Sequence, residues 1–80
     1  MKTDTVASFF GLTIKTAREK SMRTIDEAAA LAPMTSSEWY RIEQGSLPND
    51  PVFELLAAGI GTTGDEVRYM LSVSNRLFGS

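Results

Sequence analysis

The stretch Thr24-Ile25-Asp26-Glu27-Ala28-Ala29-Ala30-Leu31-Ala32-Pro33-Met34-Thr35-Ser36-Ser37-Glu38-Trp39-Tyr40-Arg41-Ile42-Glu43-Gln44-Gly45 carries the same start signal twice, eleven residues apart. In Thr24 to Glu27 and again in Thr35 to Glu38, a threonine stands three residues before a glutamate. The Thr hydroxyl accepts a bond from the third backbone N–H, and the Glu carboxylate reaches back to the Thr N–H. Each box opens a helix. Pro33 turns Ala32 away from helical dihedrals, so the helix opened at Thr24 stops near Leu31 and a short turn leads to the cap at Thr35. Helix, tight turn, helix is a spacing that could present its second helix to a DNA major groove, although spacing alone does not specify that use.

Outward from this unit the other elements follow. Thr63-Gly64-Asp65-Glu66 repeats the box, and Asp50-Pro51 is a further start, with Asp as N-cap and Pro at the first helical position. Gly45 is placed to end the third helix, and Gly59 with Gly61 to end the fourth. Upstream, Val6, Phe9, Phe10, Ile14 and Ala17 share one face of a helix from about Asp4 to Lys20. Downstream, Val67, Met70 and Leu71 stripe a fifth helix. Leu77 and Phe78 extend it past Ser74, so residues 72–80 are a candidate helix extension or dimer contact. No segment alternates as a strand. The expectation is an all-α, compact five-helix fold, one domain over residues 1–80.

Composition narrows the function. The 80 residues are 42% hydrophobic and 22% charged, enough for one small core that buries about 60 to 65% of the unfolded chain's surface. With no Cys and no His, the chain lacks thiol nucleophiles, imidazole bases and the usual zinc ligands. No metal, cofactor or small-molecule substrate is expected, and enzyme activity is not. Adjacent carboxylates at Asp26-Glu27 and Asp65-Glu66 point apart on a helix and suit its first turn. Gly59 to Gly64 spells G-x-G-x-x-G, but no strand precedes it and two acids follow, so a helix end and a turn explain it better. No apolar run approaches the roughly 20 residues of a membrane span, and no signal-peptide pattern opens the chain. A cytoplasmic location is the expectation.

Several blocks resemble one family, the Cro/C1-type or XRE helix-turn-helix domains related to the lambda repressor. They are Phe10-Gly11 with Ile14 and Arg18, then Asp26-Glu27-Ala28-Ala29, Thr35-Ser36-Ser37, Arg41-Ile42-Glu43-Gln44-Gly45, Pro48 and Ile60-Gly61, together covering about residues 10–71. The resemblance implies a lambda-repressor-like fold and a regulator that binds double-stranded operator DNA as a homodimer, most naturally a bacterial, phage or mobile-element repressor. It implies a partly buried ion pair between Arg18 and Glu43. It gives Thr35, Ser36, Ser37 and Arg41 the DNA contacts, with Arg41 the base reader, and Gln44 with the backbone near Gly45 and Ser46 a phosphate contact. Trp39 and Ile42 lie on the inward stripe as core anchors. Tyr40 fits a phosphate contact and a cover over the core equally.

The chain departs from the family pattern at particular places. Ile25 stands where a phosphate-binding Gln is common, and Pro33 where the turn often has Gly. Arg23 replaces an apolar residue whose packing Met22 is placed to take over. Small Ala28 and large Trp39 read as a compensating pair. Net charge is -2 overall, and residues 21–50 hold two cations against five acids. Glu27 and Glu38 serve caps and Glu43 is paired, which leaves Lys15, Lys20, Arg23 and Arg41 as the positive footprint. The acidic balance keeps a second reading open, a protein-binding adaptor that retains the scaffold and docks through Val73, Leu77 and Phe78.

Overall fold

The computed structural model describes residues 5–79. It contains α1 (Thr5–Lys20), α2 (Ile25–Leu31), α3 (Ser36–Glu43), α4 (Asp50–Ile60) and α5 (Gly64–Phe78), with no strand among the described residues. Asp4, the expected start of the first helix, lies outside them. α1 packs on α5 and α3, α2 on α3 and α4, and α4 closes against α5. Phe10, Ile14, Ala28, Trp39, Phe53, Leu56 and Val67 form the centre of the core. The Phe10 and Phe53 rings meet edge-on at 5.8 Å. Each large side chain fully buried there contributes about 1.5–3 kcal/mol.

Both capping boxes of the helix-turn-helix form completely, at Thr24 with Glu27 and at Thr35 with Glu38. The other two starts differ from the sequence expectation. Thr63 accepts from the Glu66 N–H at 3.2 Å, but Glu66 does not complete the box. Asn49, not Asp50, holds the N-cap position of α4, without a side-chain capping bond, and Pro51 lies in the first turn. Asp50 has another partner, because its carboxylate accepts from Arg68 Nε of α5 at 3.0 Å.

Four helices end in one device, a bond from the backbone N–H two residues past the cap to a carbonyl one turn back. The bonds run from Arg23 to Arg18, Met34 to Ala29, Ser46 to Arg41 and Thr62 to Ala57. The residue before each of those donors carries a positive φ: Met22 59°, Pro33 26°, Gly45 112° and Gly61 75°. Glycine meets this geometry freely and the other two do not. Met22 is thereby turned outward and 90% exposed, so it does not take over the packing expected of it. Pro33 has no N–H to close the second bond of the motif, and its ring favours φ near about -65°. The turn between α2 and α3 therefore holds backbone strain.

Gly59 does not end a helix. It lies inside α4, where a Cβ would fall 2.8 Å from the Ala28 carbonyl and within the Trp39 ring. Trp39 and Ala28 are both fully buried, so the large ring fills the space left by a small residue on α2 and rests on a bare backbone on α4. Gly11 does the same between α1 and α3, where a Cβ would stand 2.6 Å from the Glu43 carbonyl oxygen.

Candidate nucleic-acid interface

The candidate surface is the outer side of α3, and its inner side explains how that helix is held. Glu43, one turn after Trp39, has a side chain only 2% exposed. Its Oε2 accepts from Arg18 Nε at 2.6 Å and from Trp39 Nε1 at 2.7 Å, and its Oε1 accepts from Arg18 Nη2 at 3.2 Å. Arg18 Nη1 donates to the Arg23 carbonyl at 2.9 Å. A forked arginine on a carboxylate fixes direction as well as distance, so α1, the α1–α2 corner and the end of α3 are set relative to one another. The bond to Glu43 raises the Arg18 pKa above its ordinary value, with burial opposing it. The sequence resemblance implied the pair. The indole as a further donor was not foreseen, although its four-residue spacing to Glu43 was available as a signal.

Turned away from that anchor, Ser37, Arg41 and Gln44 recur at spacings of four and three, and all are exposed. Tyr40, 53% exposed, lies beside them. Among the described residues Arg41 makes no ion pair, not even with Glu38 one turn earlier. Thr35 and Ser36 are engaged differently. The Thr35 hydroxyl accepts from the Glu38 N–H at 3.0 Å and donates to Glu38 Oε1 at 3.1 Å. The Thr35 backbone N–H, which donates to Glu38 Oε1 at 3.1 Å, and then the Thr35 hydroxyl hold the Glu38 carboxyl below the usual carboxylate range. The Ser36 hydroxyl donates to Asp26 across the turn, tying α3 to α2. Sequence reasoning missed that tie, since ten residues separate the partners and both also suit ordinary first-turn positions.

The expected cations do not gather in one place. Lys15 stands one turn beyond Gly11, on the side of α1 that meets the end of α3, and is half-buried. Arg23 turns to α4, where Nη1 donates to the Gly59 carbonyl at 2.8 Å. That carbonyl lies near the negative end of the α4 dipole, a favourable seat for a cation. Lys20 lines the groove between α1 and α5 together with Phe9, Leu12 and Met70. Of these four cations, Lys15 and Arg41 are the two on the α3 side of the domain.

Two successive helices joined by residues 32–35, the second anchored from behind by Arg18 and Glu43 with one face exposed, define a helix-turn-helix domain. The chain belongs to the helix-turn-helix domain family, whose model matches residues 10–70. No curated protein and no solved structure shows significant similarity to it. No helix among the described residues is long and apolar enough to cross a membrane.

Proposed function

We propose that this protein is a sequence-specific DNA-binding regulator, a repressor of the Cro/C1 type from a bacterium, phage or mobile element, which acts by occupying a promoter. The observation that carries this is the exposed stripe Ser37, Arg41 and Gln44 on a helix locked from behind by Arg18 and Glu43. The amino end of α3 enters the major groove. Arg41 reads guanine through O6 and N7, an interaction worth about 1–3 kcal/mol of discrimination. Ser37 and the amino end at exposed Thr35 and half-buried Ser36 lie beside it, and Gln44 and Lys15 meet phosphate. Lys20 and Arg23 are outlying phosphate contacts.

So few cations per subunit give weak binding to one half-site, which favours a homodimer on two. Phe9 and Phe78 meet with tilted rings at 5.0 Å between centroids, and Phe78 itself, Leu12 and Leu77 stay exposed. This α1–α5 face is the proposed dimer contact. The test is selection of bound sites from random duplex DNA, with molar mass measured by light scattering. One enriched motif is expected, relaxed at a single base pair by Arg41→Ala, and failure to enrich any motif sinks the proposal. A second reading is favoured by Asp26, which brings an acid against Ser36 at the DNA-facing turn: a protein-binding adaptor on the same scaffold, docking through the α5 end. It predicts no enrichment and a shift in mass only when a protein partner is added.

A further inference from the structure

Behind the exposed stripe of α3 lies a cavity of about 330 Å³, between the carboxyl end of α3 and the start of α4. Its size is at the lower end of the range for small-molecule sites. Ile42, Leu47, Val52 and Leu55 give it apolar walls, with Leu47 and Leu55 45% and 37% exposed. Apolar side chains left open around a concavity gain from an apolar occupant.

Its polar lining comes from Glu38, Arg41, Ser46 and Asn49. Arg41 lines the cavity and makes no ion pair among the described residues. Asn49 lines it too, and its side chain makes no capping bond to α4. Glu38 is the acid in the lining, but its Oε1 already accepts from the Thr35 N–H at 3.1 Å and from the Thr35 hydroxyl. Its charge is held first at the amino end of α3, where the helix dipole favours it, and the more distant Arg41 adds only a weaker attraction without an ion pair. A hollow with apolar walls, lined also by a guanidinium without an ion pair among the described residues and by an amide without a capping bond, matches one ligand chemistry.

We infer that this cavity binds a small amphipathic carboxylate, its apolar body between α3 and α4 and its carboxylate on Arg41. A guanidinium takes a carboxylate through two parallel N–H bonds, which a neutral head group cannot reproduce. Resting on the proposed function, the site also has a regulatory consequence. Arg41 cannot hold the carboxylate and read a base at once, so ligand and DNA weaken each other's binding by the same factor.

The experiment is a titration of the full chain, without DNA, with octanoate and with its neutral isostere octanol, followed by methyl and amide NMR shifts. Saturable shifts centred on Leu47, Val52 and Leu55 are expected, with octanoate bound about three- to tenfold tighter than octanol, as a charge-assisted bond at a partly open site allows. Arg41→Gln changes an exposed side chain, keeps the amide spectrum of the fold, and brings the two ligands to equal affinity. Shifts scattered over the surface, equal binding of both ligands to the unmutated chain, or a preference that survives Arg41→Gln each overturn the inference. Octanoate is then added to the complex with selected DNA, where it lowers affinity for the unmutated chain. A cavity that binds octanoate in a protein that selects no DNA leaves the ligand site standing and removes only the regulator.

Discussion

Two arginines of this domain are each held by carboxylates, and their surroundings make the arrangements opposites. Arg18 meets one acid, Glu43, with side chains 10% and 2% exposed, and every oxygen of that acid is bonded. Arg68 meets three, Asp50 at 3.0 Å, Glu54 at 2.9 Å and Asp65 at 3.3 Å, all on the surface. Bonds to Asp50 and then Glu54 raise the Arg68 pKa, as the bond to Glu43 raises that of Arg18. Charge count favours Arg68, and structural consequence favours Arg18. Water and salt stand ready to replace any partner of the exposed group, whereas nothing replaces Glu43. One buried pair therefore fixes where α3 lies, and three surface pairs only trim the junction of α4 with α5.

Breaking the buried side has the largest effect. Glu43→Ala leaves a guanidinium and an indole N–H without acceptors and is expected to cost about 3–5 kcal/mol in urea unfolding. Replacing both partners, Arg18→Met with Glu43→Leu, removes the stranded charge, so the double variant is expected to be more stable than Glu43→Ala alone. If the double variant is no better, the cost of Glu43→Ala does not come from an unpaired charge. Gly11→Ala attacks the same junction through the backbone. The new Cβ meets the Ile42 and Glu43 carbonyls, which cannot rotate aside, and overpacking of this kind costs about 1–3 kcal/mol.

The turn between α2 and α3 sharpens the comparison from the other direction, since it is tight without being comfortable. Pro33 occupies a positive-φ position with no N–H to give. Pro33→Gly supplies both the donor and the conformation, and is expected to raise stability by about 1 kcal/mol despite the added freedom of the unfolded chain. A lower melting temperature would show that the ring is accommodated without strain.

These cases mark what the residue string discloses. Caps at Thr24 and Thr35 are local, with both partners within three residues, and so are legible. Met22 illustrates the limit: its apolar character suggested packing, but the closing bond of α1 turns it into solvent. The cap of α4 fell one residue early for a similar reason, because Arg68, eighteen residues away, recruits Asp50. Gly59 looked like punctuation until the Trp39 ring came to rest on it. At the candidate interface the exposed stripe was legible from helical spacing. The scatter of Lys20 and Arg23 was not, since long flexible side chains go to whichever carbonyl or groove the tertiary fold brings near. Elements follow from neighbours in sequence, and partners of charged groups from neighbours in space.

Returning to the exposed side, Arg68→Met is expected to shift the melting temperature far less than Glu43→Ala. The shift is expected to vanish in 1 M salt, where screening acts over about 3 Å. A salt-independent loss would mean that the aliphatic stem of Arg68, not its charge, supports α5.

The smallest effect belongs to Glu38, a surface carboxylate whose ionised form is favoured by the Thr35 N–H and hydroxyl. Its folded pKa lies below the unfolded value, ordinarily about 4.3. Protons then bind the unfolded chain more readily, so the cap contributes fully above the unfolded pKa and fades as pH falls through the folded one. Melting temperatures of the protein and of Glu38→Gln, taken from neutral pH downward, are expected to differ most at neutral pH and to converge in acid. The Gln amide can still accept from Thr35 and has no charge to lose, so the variant isolates the ionic part of the cap. A gap that stays constant to acid pH would assign the difference to side-chain shape, and a gap that widens would reverse the sign of the linkage. Either outcome would remove the ionic part of the Thr35 cap from the stability of α3.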